Sequence, residues 1–491
     1  MIRFPFWLVA AQSGLVVSAS LILVSCCVGP DYQPSAAPKL TRPTAEPLPA
    51  QTEGASPQRL VQGEVPERWW TLFQSPQIDA LVDQALKANP NLQAAEAALR
   101  QARETYLAQR GALLPTVDVG AGSTRQRDSA ALSPTLSSNT ALFSLQTAQV
   151  NVGYALDLFG GVRRATEQAK AQAEAQRFET EAAYVTLTSN VVAAAIQAAA
   201  LRDQAEAARD LVDLNRQALK VMRGQLAVGQ VGRADVAAQE AALAQAQAAM
   251  APLDKQLAQQ QDLIAALVGG YPETVPATTL RLADLKLPRD LPVSLPGEIL
   301  RRRPDVQAAE ANVHAAGAAV GVAIANRLPQ FTIGGTAGGA STQWSQLLSN
   351  GNGLWSISAG VAQPIFRGGA LAHQQKAAEA ALDQAKAQYR GAVVTAVQNV
   401  ADSLEALKAD GRGLDAAIVA EQRAEESLII ARGQLGQGMI SGLAVIQIEQ
   451  TYAQARQTRV QAEGARLADT AALIQALGGD WWRRDRYASV R

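Results

Sequence analysis

The segment QVNVGYALDL, residues 149–158, indicates the fold class of this 491-residue chain. Its larger apolar residues alternate with small or polar ones, which is the period-2 pattern of a β-strand with one apolar face. About ten residues of such alternation is the length that a tilted strand needs to cross a bilayer. The segment therefore predicts a membrane-spanning strand.

Three other segments show the same alternation. They are PTVDVGAG from Pro115, FTIGGTA from Phe331 and WSISAGV from Trp355. Together the four segments form two strand pairs, at about 115–158 and about 329–366, each with a loop rich in Ser, Asn or Gly. The alternative is two soluble hairpins, in which glycine and modest hydrophobicity would be ordinary.

The two strand pairs belong to a duplicated sequence. NPNLQAAEAALRQ from Asn89 recurs as RPDVQAAEANVHA from Arg303, and RGQLAVG from Arg223 recurs as RGQLGQG from Arg432. The spacing of roughly 200 residues is far longer than the ~20–50 residues of a solenoid repeat. We therefore expect two equivalent half-structures, at 71–270 and 298–479, joined by a proline-rich linker at 271–297.

Each strand pair is followed by a long segment without proline, at about 162–226 and about 370–435. A single helix of this length would extend ~100 Å. Its apolar residues step by three and four, so it needs a partner helix. Each long helix ends at a glycine turn and a further helix follows, in the first of which Pro252 predicts a kink or an earlier end. A filament-like coiled coil is the alternative for the helices alone.

Bulk composition argues against several functions. The formal net charge is zero, which gives no argument for a nucleic-acid partner. Only two His and four Met are present, and neither His314 nor His373 stands in the pattern of a catalytic triad or metal centre. We predict no enzymatic activity, no metal and no cofactor. Glu240 and Glu449 are interpreted as solvated or pore-facing charges.

The N-terminus carries an export signal. An uncharged segment follows Arg3 and ends at LVSC, residues 23–26, the small-residue-then-Cys pattern of a bacterial lipoprotein cleavage box. We predict a signal peptide at 1–25, a covalent lipid on Cys26, a lipidated extended segment at 26–70 and a C-terminal tail at 480–491. Cys27 in the next position, in place of Asp, favours sorting to the outer membrane of a Gram-negative bacterium. An N-terminal transmembrane anchor is the alternative.

Four membrane-length strands cannot remain an open sheet in lipid. The unpaired N–H and C=O groups at its edges would each cost several kcal/mol. The smallest closed membrane barrels need about eight strands, so the chain must share a barrel with copies of itself. Three copies would give about 12 strands, enough for an open pore.

The chain resembles the TolC-like outer membrane efflux protein family, and in particular its lipoprotein branch typified by OprM and NodT. The resemblance covers essentially the whole mature chain, and it depends on the order and spacing of motifs that are individually weak. The matching segments are CCVGPDYQ from Cys26, WWTLFQSPQIDALVDQAL from Trp69, NPNLQAAEA from Asn89, LLP from Leu113, LDLFGG from Leu156, VGQVGRADVAAQEAALAQAQ from Val228 and RRRPDVQAAEA from Arg301.

The resemblance implies an α+β membrane protein: a homotrimeric channel-tunnel with a 12-stranded outer membrane β-barrel joined to a long periplasmic α-helical barrel. It also implies the function of a passive exit duct in a tripartite efflux pump. Its partners would be outer membrane lipid, a periplasmic adaptor and an inner membrane transporter. We expect export of small molecules such as drugs or toxic organics. The alternatives are the outer membrane channel of a type I protein secretion system or of a metal-ion efflux system.

The resemblance also implies a gate at the end of the second long helix. Relatives of this branch are expected to carry Arg, Tyr, Leu and Asp there, whereas this chain keeps only the Leu. Closure is therefore expected to depend on a Leu443 constriction with amide hydrogen bonds, and plain helix-end packing is the alternative. The gate candidates are Gln434, Leu435, Leu443 and Gln447.

The two hairpin tips are the predicted docking sites for the adaptor. Their glycines permit tight turns, and their apolar residues suit a partner surface. The alternative is that the glycines only cap helices. The docking candidates are Gly229, Val231, Gly232, Asp235, Gly438 and Ile440. Tyr154 and Trp355 are predicted near lipid headgroups, whereas Trp69 and Trp70 are interpreted as ordinary packing.

Overall fold

The computed structural model describes residues 27–34, 44, 50–54, 56–127, 142–293 and 302–479. The predicted signal peptide, Cys26 and the C-terminal tail lie outside the described residues. The chain forms two compact units. The first comprises Met1–Ser35, Leu99–Gln176 and Ala309–Tyr389, and the second comprises Ala36–Ala98, Arg177–Ala308 and Arg390–Arg491.

Two long helical hairpins and a four-stranded sheet dominate the described residues. The α-helices are α1 (Pro76–Ala88), α2 (Pro90–Gly111), α3 (Gly161–Ala227), α4 (Arg233–Leu267), α5 (Pro304–Ala325), α6 (Ala370–Gly436) and α7 (Gly442–Ala476). The strands are β1 (Arg59–Val61), β2 (Thr116–Arg127), β3 (Leu142–Leu156), β4 (Asp290–Pro292), β5 (Gln330–Ser341) and β6 (Gly353–Ala362).

The sheet has the order β2-β3-β5-β6 and is antiparallel throughout. Its register places Val117 opposite Val152 and Gly335 opposite Ile357, so most of the larger apolar residues of the four strands share one face. The other face carries mainly Gly, Ser, Thr, Asn and Gln, together with Asp118 and, near the strand ends, Phe143, Leu145 and Leu354. The described residues leave the apolar face largely uncovered, since Ile357 is 78% exposed. This is the reverse of a soluble sheet, which buries its apolar face against a core.

Strand β3 begins at Leu142, seven residues before the segment that the alternation predicted. From Leu142 to Thr147 the pattern reverses: Phe143 and Leu145 lie on the polar face, and Ser144 lies on the apolar face. Alternation of apolar residues reports whether one face of a strand has an apolar environment, and it does not report the hydrogen bonds that define the strand. The alternation therefore predicted only the part of β3 that has one consistently apolar face.

The duplication is visible in the helix lengths. Helices α3 and α6 have 67 residues each, and α4 and α7 have 35 each. Pro252 lies inside α4, which continues to Leu267, so of the two expectations the earlier helix end is wrong and the kink stays a prediction. A helix this long keeps its other backbone hydrogen bonds and its packing against α3, which offset the ~3 kcal/mol cost of one internal proline.

The main hydrophobic core lies in the second unit. Trp69, Trp70 and Phe73 are each at most 1% exposed, and they pack with the apolar stripe of α1, the middle of α3 and the end of α7. This agrees with the packing interpretation of the two tryptophans. Among the described residues, two helices, α3 and α5, are long and apolar enough to cross a membrane by composition, but the most apolar window of α3 is 78% buried within the protein. That burial identifies it as a core helix.

Candidate functional site

The two helical hairpins close with the same turn. The Gly229 amide donates to the Leu226 carbonyl at 3.0 Å, and the Gly438 amide donates to the Leu435 carbonyl at 3.0 Å. Both glycines have positive φ, 74° and 72°. Such left-handed residues end helices and are most often glycine. The tip glycines are thus needed for chain reversal, whatever else the tips do.

Several docking candidates have local structural roles. The Asp235 carboxylate accepts a hydrogen bond from the Gly232 amide at 2.8 Å and caps α4. Val231 packs with the cluster of Leu219, Met222 and Val236, and Ile440 packs with an equivalent cluster in the second hairpin. Val231 and Ile440 are therefore half-buried and not the freely exposed side chains expected from the sequence.

The exposed apolar side chains at the tips are their neighbours. Val228 is 70% exposed and Met439 is 65% exposed. Each lies beside the positive-φ glycine of its hairpin, where the chain turns away from its own core. The sequence signal was present in VGQVG and GQGMISG, but the direction of each side chain depended on the turn geometry.

The four gate candidates occupy the base of the second tip. The Gln434 carbonyl accepts hydrogen bonds from the turn amides of Gln437 and Met439, and Leu435 is 41% exposed. Gln447 is exposed in the second turn of α7. Leu443 packs against the cluster of Leu219, Met222 and Val236 in the first hairpin. The gate assignment remains a prediction, with Leu443 at a contact between the two hairpins.

Sequence reasoning missed two equivalent ion pairs in the hairpins. Arg223 bonds Glu240 at 2.7 Å, and Arg432 bonds Glu449 at 2.7 Å. Each joins the two helices of one hairpin near its tip, 17 residues apart in sequence. The two glutamates, interpreted from sequence as solvated or pore-facing, are therefore paired. The recurrence of both Arg and Glu at one spacing in the two repeats was the available signal.

A buried amide junction was also missed. Asn215 on α3 is 5% exposed, and its side-chain oxygen accepts hydrogen bonds from Gln239 Nε2 on α4 at 3.0 Å and from Gln450 Nε2 on α7 at 3.1 Å. Its Nδ2 donates to the Leu211 carbonyl at 2.8 Å. One side chain therefore links three helices.

Specific contacts in the first unit hold the N-terminal segment at residues 27–32. The Val28 amide donates to the Phe159 carbonyl at 3.1 Å, just after the end of β3. Arg164, 4% exposed at its side chain, donates to the Val28 carbonyl at 3.0 Å and pairs with Asp31 at 2.6 Å. Cys27 lies directly against Gly160.

Stacking and polar contacts of Tyr32 also hold this segment. The Tyr32 ring stacks on His314 with centroids 4.1 Å apart, and its hydroxyl donates to Glu310 at 3.0 Å. His314 in turn contacts Glu167 at 2.8 Å. Burial, and then the negative charge of Glu310, raise the pKa of the Tyr32 hydroxyl. Burial opposes ionisation of Glu167, but hydrogen bonds from His314 and Arg164 outweigh it and lower the pKa of this carboxyl.

In the second unit, Arg466 holds another part of the N-terminal segment, around Thr52. Arg466 is 1% exposed and donates to Thr52 Oγ1 at 2.6 Å and to the Leu407 carbonyl. Burial, and then the hydrogen bond and charge of Asp469, raise the pKa of the nearby Asp410 to about 7. This cluster attaches the segment around Thr52 to helices α6 and α7.

Comparison with known proteins gives the family. The sequence profile of the outer membrane efflux protein family matches residues 81–270 and 295–479, which together are well over half of the chain. The chain belongs to the outer membrane efflux protein family.

Relatives of this outer membrane efflux protein align over almost their full length. The pyoverdine export outer membrane protein OpmQ of Pseudomonas putida is 29% identical over 84% of this chain and 88% of its own. The toluene efflux pump outer membrane protein TtgC, also of Pseudomonas putida, is 28% identical over 97% of this chain and 96% of its own.

Solved structures give the same fold. The outer-membrane channel OprN has 26% identity and a TM-score of 0.81, with 93% of this chain and 100% of OprN covered. The open-state outer membrane channel MtrE of Neisseria gonorrhoeae has 26% identity and a TM-score of 0.75, with 92% of this chain and 98% of MtrE covered. The TolC-like channel-tunnel fold and the efflux family predicted from sequence motifs are thus confirmed.

Membership explains the inverted sheet of this efflux protein. In an outer membrane barrel the apolar face of each strand contacts lipid, and the polar face lines the lumen. The exposed row through Val119 and Ile357 therefore faces hydrocarbon, whereas the row through Asn151 and Ser356 faces water. Thr336 donates to Asn151 at 3.0 Å on the lumen side.

Proposed function

We propose that this protein is the homotrimeric, lipid-anchored exit duct of a tripartite pump that exports small organic molecules across the outer membrane. The observation that carries the proposal is a four-stranded sheet whose apolar face is exposed and whose outer strands, β2 and β6, lack a second neighbour within the sheet. The duct performs no chemistry and takes its direction from an energised transporter.

Trimerisation follows from closure of the sheet. Unpaired strand edges are not tolerated in lipid, so β6 of one copy pairs with β2 of the next. Three copies supply about 12 strands, within the range of closed outer membrane barrels.

The helices support the same assembly. Ion pairs and hydrogen bonds join α4 to α3, α3 to α7 and α7 to α6, which gives the order α4-α3-α7-α6. Helix α6, at one end of this row, carries five exposed large apolar residues. These are Val394, Val419, Ile429, Ile430 and Leu435, each at least 41% exposed. A neighbouring copy would cover them.

The contacts of residues 28 and 31 support the proposed lipid anchor on Cys26. Val28 bonds the chain beside the end of β3, and Arg164 holds Asp31. An acyl group one residue before Cys27 would therefore enter the membrane next to the barrel. Several acyl chains anchor a protein firmly where one does not.

The periplasmic adaptor and the inner membrane transporter are the proposed partners. Val228 and Met439 give each tip an exposed apolar side chain beside an exposed glycine turn, which suits an adaptor surface. Gly229, Val231, Gly232, Asp235, Gly438 and Ile440 shape these tips and keep their assignment as docking candidates. The gate candidates Gln434, Leu435, Leu443 and Gln447 remain assigned to closing the duct above them.

Relatives named for toluene efflux and pyoverdine export favour organic substrates. Protein secretion and metal-ion export remain the alternatives.

Two measurements test the proposal. Purified protein should run as a heat-modifiable trimer and form ion-conducting pores in planar bilayers. A strain lacking the gene should accumulate a fluorescent organic dye, and expression of the wild-type chain should restore efflux. A stable monomer in lipid would contradict the trimer. Pores in bilayers, with no effect of gene deletion on the efflux of organic solutes, would contradict the substrate class.

A further inference from the structure

The register of the sheet arranges the side chains of its apolar face in rows at increasing distance from the helices. Residues that pair across neighbouring strands share a row, and successive rows lie two residues, ~6.8 Å, apart along a strand. The first five rows are apolar or small. The first contains Leu156, Phe331 and Val361, and the fifth contains Ala121, Ala148 and Gly339. Because the helices lie on the periplasmic side, later rows are nearer the outside of the cell.

The five apolar rows match the thickness of the hydrocarbon layer. Four steps of ~6.8 Å span ~27 Å along the strands, and the usual strand tilt of ~40° reduces this to ~21 Å across the bilayer. The side chains of the first and fifth rows extend beyond their backbones, toward the ~25 Å apolar band of outer membrane barrels. The sixth row therefore lies at the outer edge of the hydrocarbon.

Beyond the fifth row the same face becomes polar and then cationic. The sixth row contains Ser123, Gln146 and Ser341, and the seventh and eighth contain Arg125 and Arg127. Polar and charged groups are costly within hydrocarbon, and the cost of a charge on the lipid face becomes small near the interface. The change in composition thus marks the level at which lipid chains end and headgroups begin.

The loop between β5 and β6 marks the same boundary. A Cβ on Gly339 would meet the carbonyl of Leu347, so the loop lies over the apolar face at the fifth row. Leu347 is 8% exposed there, whereas Trp344 in the same loop is 53% exposed. Tryptophan is enriched at the interface between hydrocarbon and water. The position of this ring agrees with the level assigned from the rows.

The positive charge at this level is not neutralised by the described residues around it. Arg125 and Arg127 are exposed, and neither forms an ion pair with a described residue. Residues 121–127, 142–148 and 338–355 contain no acidic residue and no other charge. Asp128, the next residue in the sequence, lies outside the described residues. Guanidinium groups bind phosphate through paired hydrogen bonds, so this surface suits a phosphate-bearing ligand.

The side of the sheet that carries the charge identifies the ligand. The residues that alternate with the two arginines, Thr124 and Gln126, point to the lumen and are uncharged. The arginines are therefore directed away from the path of an exported solute. They also lie at the opposite end of the strands from the helices, which excludes a periplasmic partner. Lipid headgroups are the molecules that meet the lipid-facing side at this level.

We propose that Arg125 and Arg127 form a binding site for the phosphate groups of a glycolipid in the outer leaflet of the outer membrane. Ser123, on the same strand and face, supplies a hydroxyl for the sugar. The inference goes beyond the proposed function. It depends on the outer membrane location and on the register of the sheet, and it is independent of the exported solute.

Binding of a defined lipid tests the inference. Purified wild-type trimer in a nonionic detergent is titrated with fluorescent diphosphoryl lipid A, and fluorescence anisotropy gives the Kd. Arg125→Gln with Arg127→Gln should raise the Kd about 25-fold. Each cation near an anionic headgroup surface contributes about fivefold in affinity. Arg125→Lys with Arg127→Lys keeps both charges and should retain most of the binding.

The matched control moves the two charges to the other face without changing the composition. It combines Thr124→Arg with Arg125→Thr, and Gln126→Arg with Arg127→Gln. The guanidinium groups then point to the lumen, and lipid A should bind as weakly as it does to the double glutamine variant. Wild-type affinity in either variant would overturn the inference.

Two titrations of the wild-type trimer separate the possible ligands. Lipid A without its phosphates should bind about as weakly as diphosphoryl lipid A binds to the double glutamine variant. Equal affinity for the two lipids would show that only apolar contacts hold the lipid, and would overturn the inference. Inorganic phosphate should compete only weakly. If it binds as tightly as diphosphoryl lipid A, the site takes the free anion and the lipid inference is wrong.

Assembly and transport are measured on the same variants. Trimer content and conductance in planar bilayers should equal those of wild type, because the changed side chains are exposed at the outer end of β2. If the double glutamine variant fails to assemble, the lysine variant and the two lipids on wild-type trimer still decide the question. Wild-type pores that export no organic dye would contradict the proposed function and leave this inference intact.

Discussion

At the scale of single residues, the cluster of Asp410, Asp469 and Arg466 makes stability depend on pH. Asp410 has its pKa raised from 3.8 to about 7, first by burial and then by Asp469. The folded protein therefore holds a proton that the unfolded chain releases at lower pH. The stabilisation from this site is complete below the unfolded pKa and is lost as the pH rises through about 7.

We predict that Asp410→Asn flattens this dependence. The amide cannot ionise, so the variant should gain stability relative to wild type as the pH rises from 5 to 8. The measurement is the apparent melting temperature of the purified protein in detergent across that range. Glu405→Gln on the exposed part of α6 is the control and should keep the wild-type slope. If the Asp410→Asn variant also keeps the wild-type slope, another group holds the proton.

Gly464, where α7 packs against α3, allows a second prediction about a single residue. A Cβ on Gly464 would meet Ala200 at 2.7 Å, whereas a Cβ on Gly433 in α6 would meet no atom within 4 Å. Gly464→Val should lower the free energy of unfolding by about 1–3 kcal/mol through overpacking. Gly433→Ala should be neutral or stabilising by up to about 1 kcal/mol, because alanine favours helix. Denaturant unfolding of both variants checks the difference, and equal effects would contradict it.

At the scale of elements, the two faces of the sheet predict opposite responses to charge. Ile357 and Ser358 are neighbours on β6, and they point to the lipid face and the lumen face respectively. Ile357→Lys should cost about 2–4 kcal/mol, as a cation near the bilayer midplane does, and should reduce the trimer in outer membrane fractions. Ser358→Lys faces water and should assemble normally. Equal assembly of both variants would show that this face does not contact lipid.

Elements also show how far sequence reasoning reached. The long helices were predicted to within one residue because their ends are set by local glycine turns at Gly229 and Gly438. The start of β3 was missed because its first residues have no consistent apolar side. Burial of Asn215 was not predictable, since it depends on which helix becomes the neighbour, whereas the pairing of Glu449 had a signal in the Arg and Glu that recur at one spacing in both repeats.

At the scale of the whole molecule, the proposed function requires the hairpin tips to contact the rest of the pump. Val228 and Met439 are the most exposed large apolar side chains beside the two tip turns, and neither is needed for the hairpin cores. An apolar residue at a protein interface contributes through the area that it buries, and a charge in its place adds a desolvation cost.

We therefore predict that Val228→Asp together with Met439→Asp abolishes efflux but leaves the channel itself intact. Trimer content and single-channel conductance in planar bilayers should equal those of wild type, because these residues lie outside the sheet and outside the contact between α3 and α7. Efflux of an organic dye should fall to the level of the deletion strain, because the adaptor no longer binds. Leu348→Asp, at a 93% exposed residue in the loop between β5 and β6, is the control and should retain efflux. If the tip variant still exports the dye at the wild-type rate, the adaptor binds elsewhere on the helices. If its conductance is lost as well, the tips contribute to folding and not to docking.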